Sequence, residues 1–188
     1  SSQIRRVAVI GAGTMGHGIA EVAAMAGYEV TLVDISQDLL NKALERIKWS
    51  LDKFAEKGTI SKEKVSEIMG RIKTTTSVAQ AVKDVDIMIE AVPEKLDLKK
   101  QVFAEADVNA PAHAILATNT SSLPITEIAT ATRRPDKVVG IHFFNPPVLM
   151  PLVEVIKGAQ TSDETARRAY DFVKSLGKEP IMVNKDVP

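Results

Sequence analysis

His142, Glu154, Ser121 and Asn145 are residues whose types and placement could carry out chemistry. His142 follows the apolar run from Lys137 to Ile141 and offers a group that titrates near neutrality. Glu154 sits inside another apolar run, Leu152-Val153-Glu154-Val155-Ile156, where an unpaired carboxylate is costly, so it calls for a partner. His142 is the best candidate, because the turn Asn145-Pro146-Pro147 can bring the two runs together. A Glu beside a His fixes the imidazole tautomer and strengthens it as a proton acceptor, the logic of a general base with an orienting acid. Taken singly, each residue also has a plain structural reading: a lone His is often a satisfied core residue, and Ser121 can cap a turn.

A second constellation near the start of the chain tips that balance toward chemistry. Val7-Ala8-Val9-Ile10 reads as a buried parallel strand and runs into Gly11-Ala12-Gly13-Thr14-Met15-Gly16, then into a small-residue helix from Thr14 to Ala26. Gly11 allows a tight turn, Gly13 lets backbone approach a pyrophosphate, and Gly16 lets helix and strand pack closely. The helix N-terminus then presents free N–H groups to phosphate. The next apolar run, Val30-Thr31-Leu32-Val33, ends in Asp34, about twenty residues beyond the glycines, where a dinucleotide fingerprint places its ribose-binding acid. A dinucleotide that takes hydride from an alcohol needs a base for the hydroxyl proton, which is what a His–Glu pair supplies.

These residues need a scaffold, and the remaining pattern provides one. Ser36 is an N-cap for a long helical stretch through Leu39, Leu40, Ala43, Leu44, Ile47, Leu51 and Phe54 to Gly58; a second, shorter helix follows Ser61 and stops at Gly70. This helical hairpin is longer than a minimal crossover and reads as an excursion. Strands are predicted over 72–76, 86–92, 114–118, 137–141, 152–156 and 179–184, and helices over 77–82, 94–108 and 161–176. Strands alternating with helices imply an α/β, Rossmann-like, doubly wound and mostly parallel sheet, with antiparallel strands added at one side.

Composition sets the outer limits. Lys+Arg and Asp+Glu are 24 each, so no net field recruits nucleic acid or an anionic membrane. The absence of cysteine excludes disulfides and thiolate chemistry and fits a reducing, cytoplasmic setting. No apolar run reaches the roughly twenty residues that span a bilayer. Ser1-Ser2-Gln3-Ile4-Arg5-Arg6 leads directly into the first strand, and no signal or transit peptide is expected.

The glycine loop, Asn119-Thr120-Ser121-Ser122-Leu123, His142-Phe143-Phe144-Asn145-Pro146 and Leu152-Val153-Glu154-Val155 together resemble the L-3-hydroxyacyl-CoA dehydrogenases of fatty-acid β-oxidation, in order and spacing, over essentially the whole chain. The resemblance implies an NAD-dependent oxidoreductase that converts the 3-hydroxyl of an acyl-CoA to a 3-keto group. It implies His142 as general base, Glu154 as its partner, and Ser121 and Asn145 as groups that hold the reacting oxygen and position nicotinamide or substrate. It implies cofactor contacts at the glycine loop, Asp34, Glu94 and Lys99, and CoA contacts at Ser50, Lys57 and Ser121. Residues 1–188 would then be the NAD-binding domain. The family continues past an Asp-x-Pro sequence into a helical C-terminal domain that carries most of a homodimer contact, and this chain stops at Asp186-Val187-Pro188. Apolar surface for that domain is expected near Val148, Leu149 and Met150. The alternatives are a dinucleotide-binding module of the λ-crystallin kind, a dehydrogenase of free 3-hydroxy acids, and a parent fused to an enoyl-CoA hydratase.

Overall fold

The structure is a computed structural model that describes residues 4–184; the first three residues and the Asp186-Val187-Pro188 junction lie outside the described residues. In chain order the elements are β1 (Arg6–Ile10), α1 (Thr14–Met25), β2 (Glu29–Val33), α2 (Gln37–Glu56), α3 (Lys62–Met69), β3 (Ile72–Thr75), α4 (Val78–Val82), β4 (Ile87–Glu90), α5 (Leu96–Asn109), β5 (Ile115–Thr118), α6 (Ile125–Ala129), β6 (Val138–Phe143), β7 (Leu152–Ile156), α7 (Asp163–Ser175) and β8 (Glu179–Val183).

The strands form one eight-stranded sheet in the order β3-β2-β1-β4-β5-β6-β7-β8. Strands β1 to β6 are parallel, and the order reverses between β1 and β4, which opens a crevice at their carboxyl ends. Side chains alternate across the sheet, and both faces are covered. Val7 and Val9 of β1, with Ile87 and Ile89 of β4, pack with Ile19 of α1, Leu40, Ile47 and Leu51 of α2, and Phe172 of α7. Ala8 and Ile10, with Met88 and Leu116, face Val102 and Phe103 of α5 and Ile128 of α6. Each fully buried Leu, Ile or Phe stabilises this sandwich by about 1.5–3 kcal/mol.

The ends of α2 and α3 follow from local chemistry. The side chain of Ser36 accepts the Leu39 N–H, and that of Ser61 accepts the Lys64 N–H. Gly58, at φ +78°, follows α2, a backbone conformation in which a Cβ is strained.

At three places the structure adds to or corrects the local reading. Ile125–Ala129 is a helix, although five residues are too few to show helical periodicity. Strand β6 runs on through His142 to Phe143, because pairing with β7 continues it beyond the apolar run. The two strands added at one edge run against the rest of the sheet, as expected: β7 is antiparallel to β6, and β8 returns through α7 and lies parallel to β7.

Candidate active site

The β6–β7 register sets His142 directly opposite Glu154. Residues opposite each other in an antiparallel pair point to the same face, so the imidazole and carboxylate meet. Nδ1 of His142 lies 2.9 Å from Oε1 of Glu154, with the two side chains 14% and 21% exposed. A carboxylate only accepts, so in the neutral imidazole it selects the Nδ1–H tautomer and leaves the Nε2 lone pair open. The ring of Phe144 packs against the imidazole at a centroid distance of 4.6 Å.

His142 opens onto a cleft of about 320 Å³ shared with Glu94, Asn119, Ser121 and Asn145, and with Met15 of α1. Asn119 uses its side-chain oxygen to accept the Phe143 N–H at 2.8 Å, tying the end of β6 to the loop after β5. That loop is gathered around one carboxylate. Glu94 Oε2 accepts from the Thr120 hydroxyl at 2.6 Å, the Ser121 N–H at 3.1 Å and the Ser122 hydroxyl at 3.1 Å, and more weakly from the Ser121 hydroxyl at 3.4 Å. Burial pushes the Glu94 carboxyl up, but Thr120, Lys99, Ser122 and Ser121 outweigh it and bring it down to about 2.

Lys99 stands beneath this cleft rather than in its wall. It is 0% exposed, donates to Glu90 Oε2 at 2.6 Å and to the Val92 carbonyl at 3.2 Å, and lies 3.3 Å from Glu94 Oε1. A fully buried ammonium is stable only with such partners, so direct cofactor contact gives way to holding Glu94 in place. Glu90, equally buried, also accepts the Thr118 hydroxyl at 2.6 Å and the Val92 N–H at 2.7 Å. Burial still drives its carboxyl upward against these donors. Glu90 could have been flagged from the sequence: like Glu154, it is a carboxylate in an apolar run, here Ile87-Met88-Ile89-Glu90.

The glycine loop has the geometry that a pyrophosphate requires. Gly11 sits at φ +102°. A Cβ on Gly16 would stand 1.6 Å from the Gly11 carbonyl oxygen, so helix and turn touch backbone to backbone. The position of a Cβ on Gly13 is open, with nothing within 4 Å, and no side chain caps the N-terminus of α1 there. These N–H groups are therefore free for an anion. Asp34 steadies the loop: its Oδ2 accepts the Ala12 N–H at 2.8 Å and its Oδ1 the Ile35 N–H at 2.7 Å. Each oxygen retains a lone pair for a ribose hydroxyl.

A second hollow, a groove of about 710 Å³, runs between α1, α2 and the segment 145–149, and Asn145 borders both hollows. Ser50 and Lys57 lie on it, together with Trp49, Lys53 and Phe54. Phe54 is only half-buried and belongs to the groove wall rather than to the core. Trp49 is 65% exposed, with the Lys53 ammonium 5.4 Å from its ring centroid. A Cβ on Gly18 of α1 would meet the Pro147 ring at 2.9 Å, so a glycine there lets the 145–149 segment close the groove. Leu149 and Met150 are 66% and 37% exposed. Sequence reasoning also missed Glu21, a carboxyl of α1 that donors and burial place beside Ser50; its only signal is a charge among small apolar residues. Among the described residues no helix is long and apolar enough to cross a membrane.

Residues 6–187 match the family model of the 3-hydroxyacyl-CoA dehydrogenase NAD-binding domain. The chain is 45% identical over 190 residues to the mitochondrial hydroxyacyl-coenzyme A dehydrogenase of Homo sapiens, covering 98% of this chain and 60% of that protein. It is 43% identical over 184 residues to the fatty acid oxidation complex subunit alpha of Idiomarina loihiensis, covering 98% of this chain and 26% of that protein. It superimposes on the crystal structure of (S)-3-hydroxybutyryl-CoA dehydrogenase from Ralstonia eutropha with a TM-score of 0.93 and 41% identity, covering 97% of this chain and 64% of the other. The chain thus spans less than two thirds of these relatives. With its free α1 N-terminus, Asp34 and the His142–Glu154 pair, it belongs to the NAD-binding domain family of the 3-hydroxyacyl-CoA dehydrogenases.

Proposed function

We propose that this domain supplies the cofactor-binding and proton-transfer half of an enzyme of fatty-acid β-oxidation that oxidises the 3-hydroxyl of an L-3-hydroxyacyl-CoA. One observation carries the reading: the His142–Glu154 pair, closed at 2.9 Å, opens onto the same cleft as Ser121, Asn145 and Glu94. NAD, when bound, supplies a nicotinamide ring that accepts hydride. The N-terminus of α1 and the glycine loop hold its pyrophosphate, and Asp34 accepts from ribose hydroxyls. The hydroxyl proton passes to Nε2 of His142 as hydride leaves the same carbon, so the C–O bond becomes C=O. Glu154 stabilises the imidazolium so formed and keeps Nε2 aimed at the cleft. Ser121 and Asn145 hold the reacting oxygen or the nicotinamide, and Glu94 fixes the Ser121 loop. In the reverse direction His142 returns the proton.

Ser50 and Lys57, with the other cations of α2, suit the phosphates of CoA in the groove. The same cations favour acyl-CoA over a free hydroxy acid, whose single carboxylate has no use for so long a wall. The exposed Leu149 and Met150 fit a cover by a helical C-terminal domain of the whole protein, which in this reading is a homodimer acting in the cytoplasm without nucleic acid or membrane. The test is turnover by the whole protein of L-3-hydroxybutyryl-CoA against free 3-hydroxybutyrate, with NAD and with NADP. The expected result is activity on the CoA ester with NAD. Equal activity on the free acid removes the groove from the reading, and equal use of NADP removes the role of Asp34.

A further inference from the structure

Glu21 has no part in the reaction derived above, yet it lies where an acyl-CoA would run. It is 1% exposed, lines the groove, and its Oε2 accepts the Ser50 hydroxyl at 2.6 Å. Ser50 is half-buried on the same wall. The other titratable groups on that wall are His17 of α1 and Lys42, Glu45, Arg46, Lys53 and Lys57 of α2; β1, β2 and α3, which also pack on α1, contribute none to it. Burial pushes the Glu21 carboxyl up to about 7, with the Ser50 hydrogen bond the opposing influence. The carboxyl therefore changes state near neutrality.

We propose that Glu21 is a positioning residue for the phosphate end of the ligand, its protonation deciding whether the Ser50 hydroxyl can be donated to a phosphate oxygen. The inference rests on the reading of the groove as the acyl-CoA site. A serine hydroxyl has one hydrogen to give. Ionised Glu21 can only accept, so it takes that hydrogen, and Ser50 turns lone pairs toward a ligand whose phosphate oxygens are acceptors as well. No bond forms, and the buried charge repels the phosphate. Protonated Glu21 donates to Ser50 Oγ across the same 2.6 Å, and the Ser50 hydrogen turns to the phosphate. Neutral Glu21 is then the binding form, and above neutrality the Glu21 carboxylate takes up a proton from solvent as the ligand binds.

Calorimetric titration of the whole protein with acetoacetyl-CoA, from pH 6 to pH 9 and in buffers of differing ionisation enthalpy, tests this. Expected is proton uptake at pH 8 and a Kd that rises by up to about tenfold per pH unit above neutrality. Glu21→Gln, whose amide donates to Ser50 at every pH, is expected to bind at pH 8 as tightly as the unaltered protein does at pH 6. NAD affinity, unchanged in that variant, reports that it is folded. Ser50→Ala is expected to weaken binding at pH 6 and to reduce the slope. Binding by the unaltered protein with no proton uptake at pH 8, or a full slope retained in Glu21→Gln, overturns the proposal. If NAD binds and acetoacetyl-CoA does not bind at any pH, the groove reading falls and takes the proposal with it.

Discussion

Glu94 and Glu21 each stand in the wall of one of the two hollows, and their surroundings drive them in opposite directions. Burial acts first on both. Around Glu94 it is overcome by Thr120, Lys99, Ser122 and Ser121, and the carboxyl falls to about 2. Around Glu21 a single hydroxyl opposes it, and the carboxyl rises to about 7. Depth and donors act together: Glu21 is the less exposed of the two and has the fewer partners, while Glu90, fully buried, is driven upward even with several donors. The cleft where hydride and proton would move has its charge fixed by a saturated network tied to backbone. The groove uses exposed cations on long side chains and one adjustable carboxyl, which suits gripping a flexible, highly charged ligand.

Four substitutions break or sharpen this contrast. The largest effect is expected in the cleft. Glu154→Gln in the whole protein leaves the imidazole without its carboxylate, and turnover is expected to fall by about 10²–10⁴-fold with NAD affinity unchanged. Wild-type turnover would make Glu154 an ordinary structural charge. Next is Lys99→Met, which strands the buried Glu90 carboxylate. Denaturant unfolding should show a loss of about 3–5 kcal/mol, far above the value of an exposed pair such as Lys48–Asp52. A loss under about 1 kcal/mol would mean that the cleft is not held by its network.

The third test sets the two carboxyls against each other through pH. Glu94 has a lowered native pKa, so its contribution to stability is present above about 4.5 and is lost as pH falls toward 2. Glu21 has a raised one, so the contribution is present below about 4.5 and is lost as pH rises to about 7. Glu21→Gln is expected to be more stable than the unaltered protein at pH 8 by on the order of 2 kcal/mol, with the difference vanishing near pH 4. The smallest effect is expected of Lys57→Glu. The side chain is exposed and screened, so acyl-CoA binding should weaken by about tenfold or less, more at low salt, with NAD binding unchanged.

Much of this was legible in the amino-acid sequence wherever one residue type has one physical use. Gly11, Gly13 and Gly16 announce a turn, an open approach and a close packing contact, and the structure uses them so. Glu154 in an apolar strand announces a partner, and the β6–β7 register supplies His142. Glu90 obeys the same rule and was legible by it. Lys99 was not, because the sequence shows a lysine early in an amphipathic helix and cannot show that the helix turns it beneath Glu94. Glu21 was hidden for the same reason: α1 is buried almost all round, so spacing does not tell which of its faces meets α2. The end of β6 was missed because strand length there is set by a partner twelve residues away, not by the apolar run itself.

The reversal between β6 and β7 has a consequence for how the molecule assembles. His142 and Glu154 are twelve residues apart, joined through one short connection, whereas Glu94 meets Thr120 across twenty-six residues that include α5 and β5. Closing the shorter loop costs less chain entropy, and local pairings tend to form ahead of distant parallel ones. His142 and Glu154 therefore travel on a single hairpin, which can close before the parallel sheet has brought the glycine loop into place. Lengthening the connection between Pro147 and Pro151 is expected to weaken the β6–β7 pairing only slightly, because closure entropy grows slowly with loop length, but to disturb the 145–149 segment that borders both hollows, while the sheet from β1 to β5 keeps every contact it needs to form.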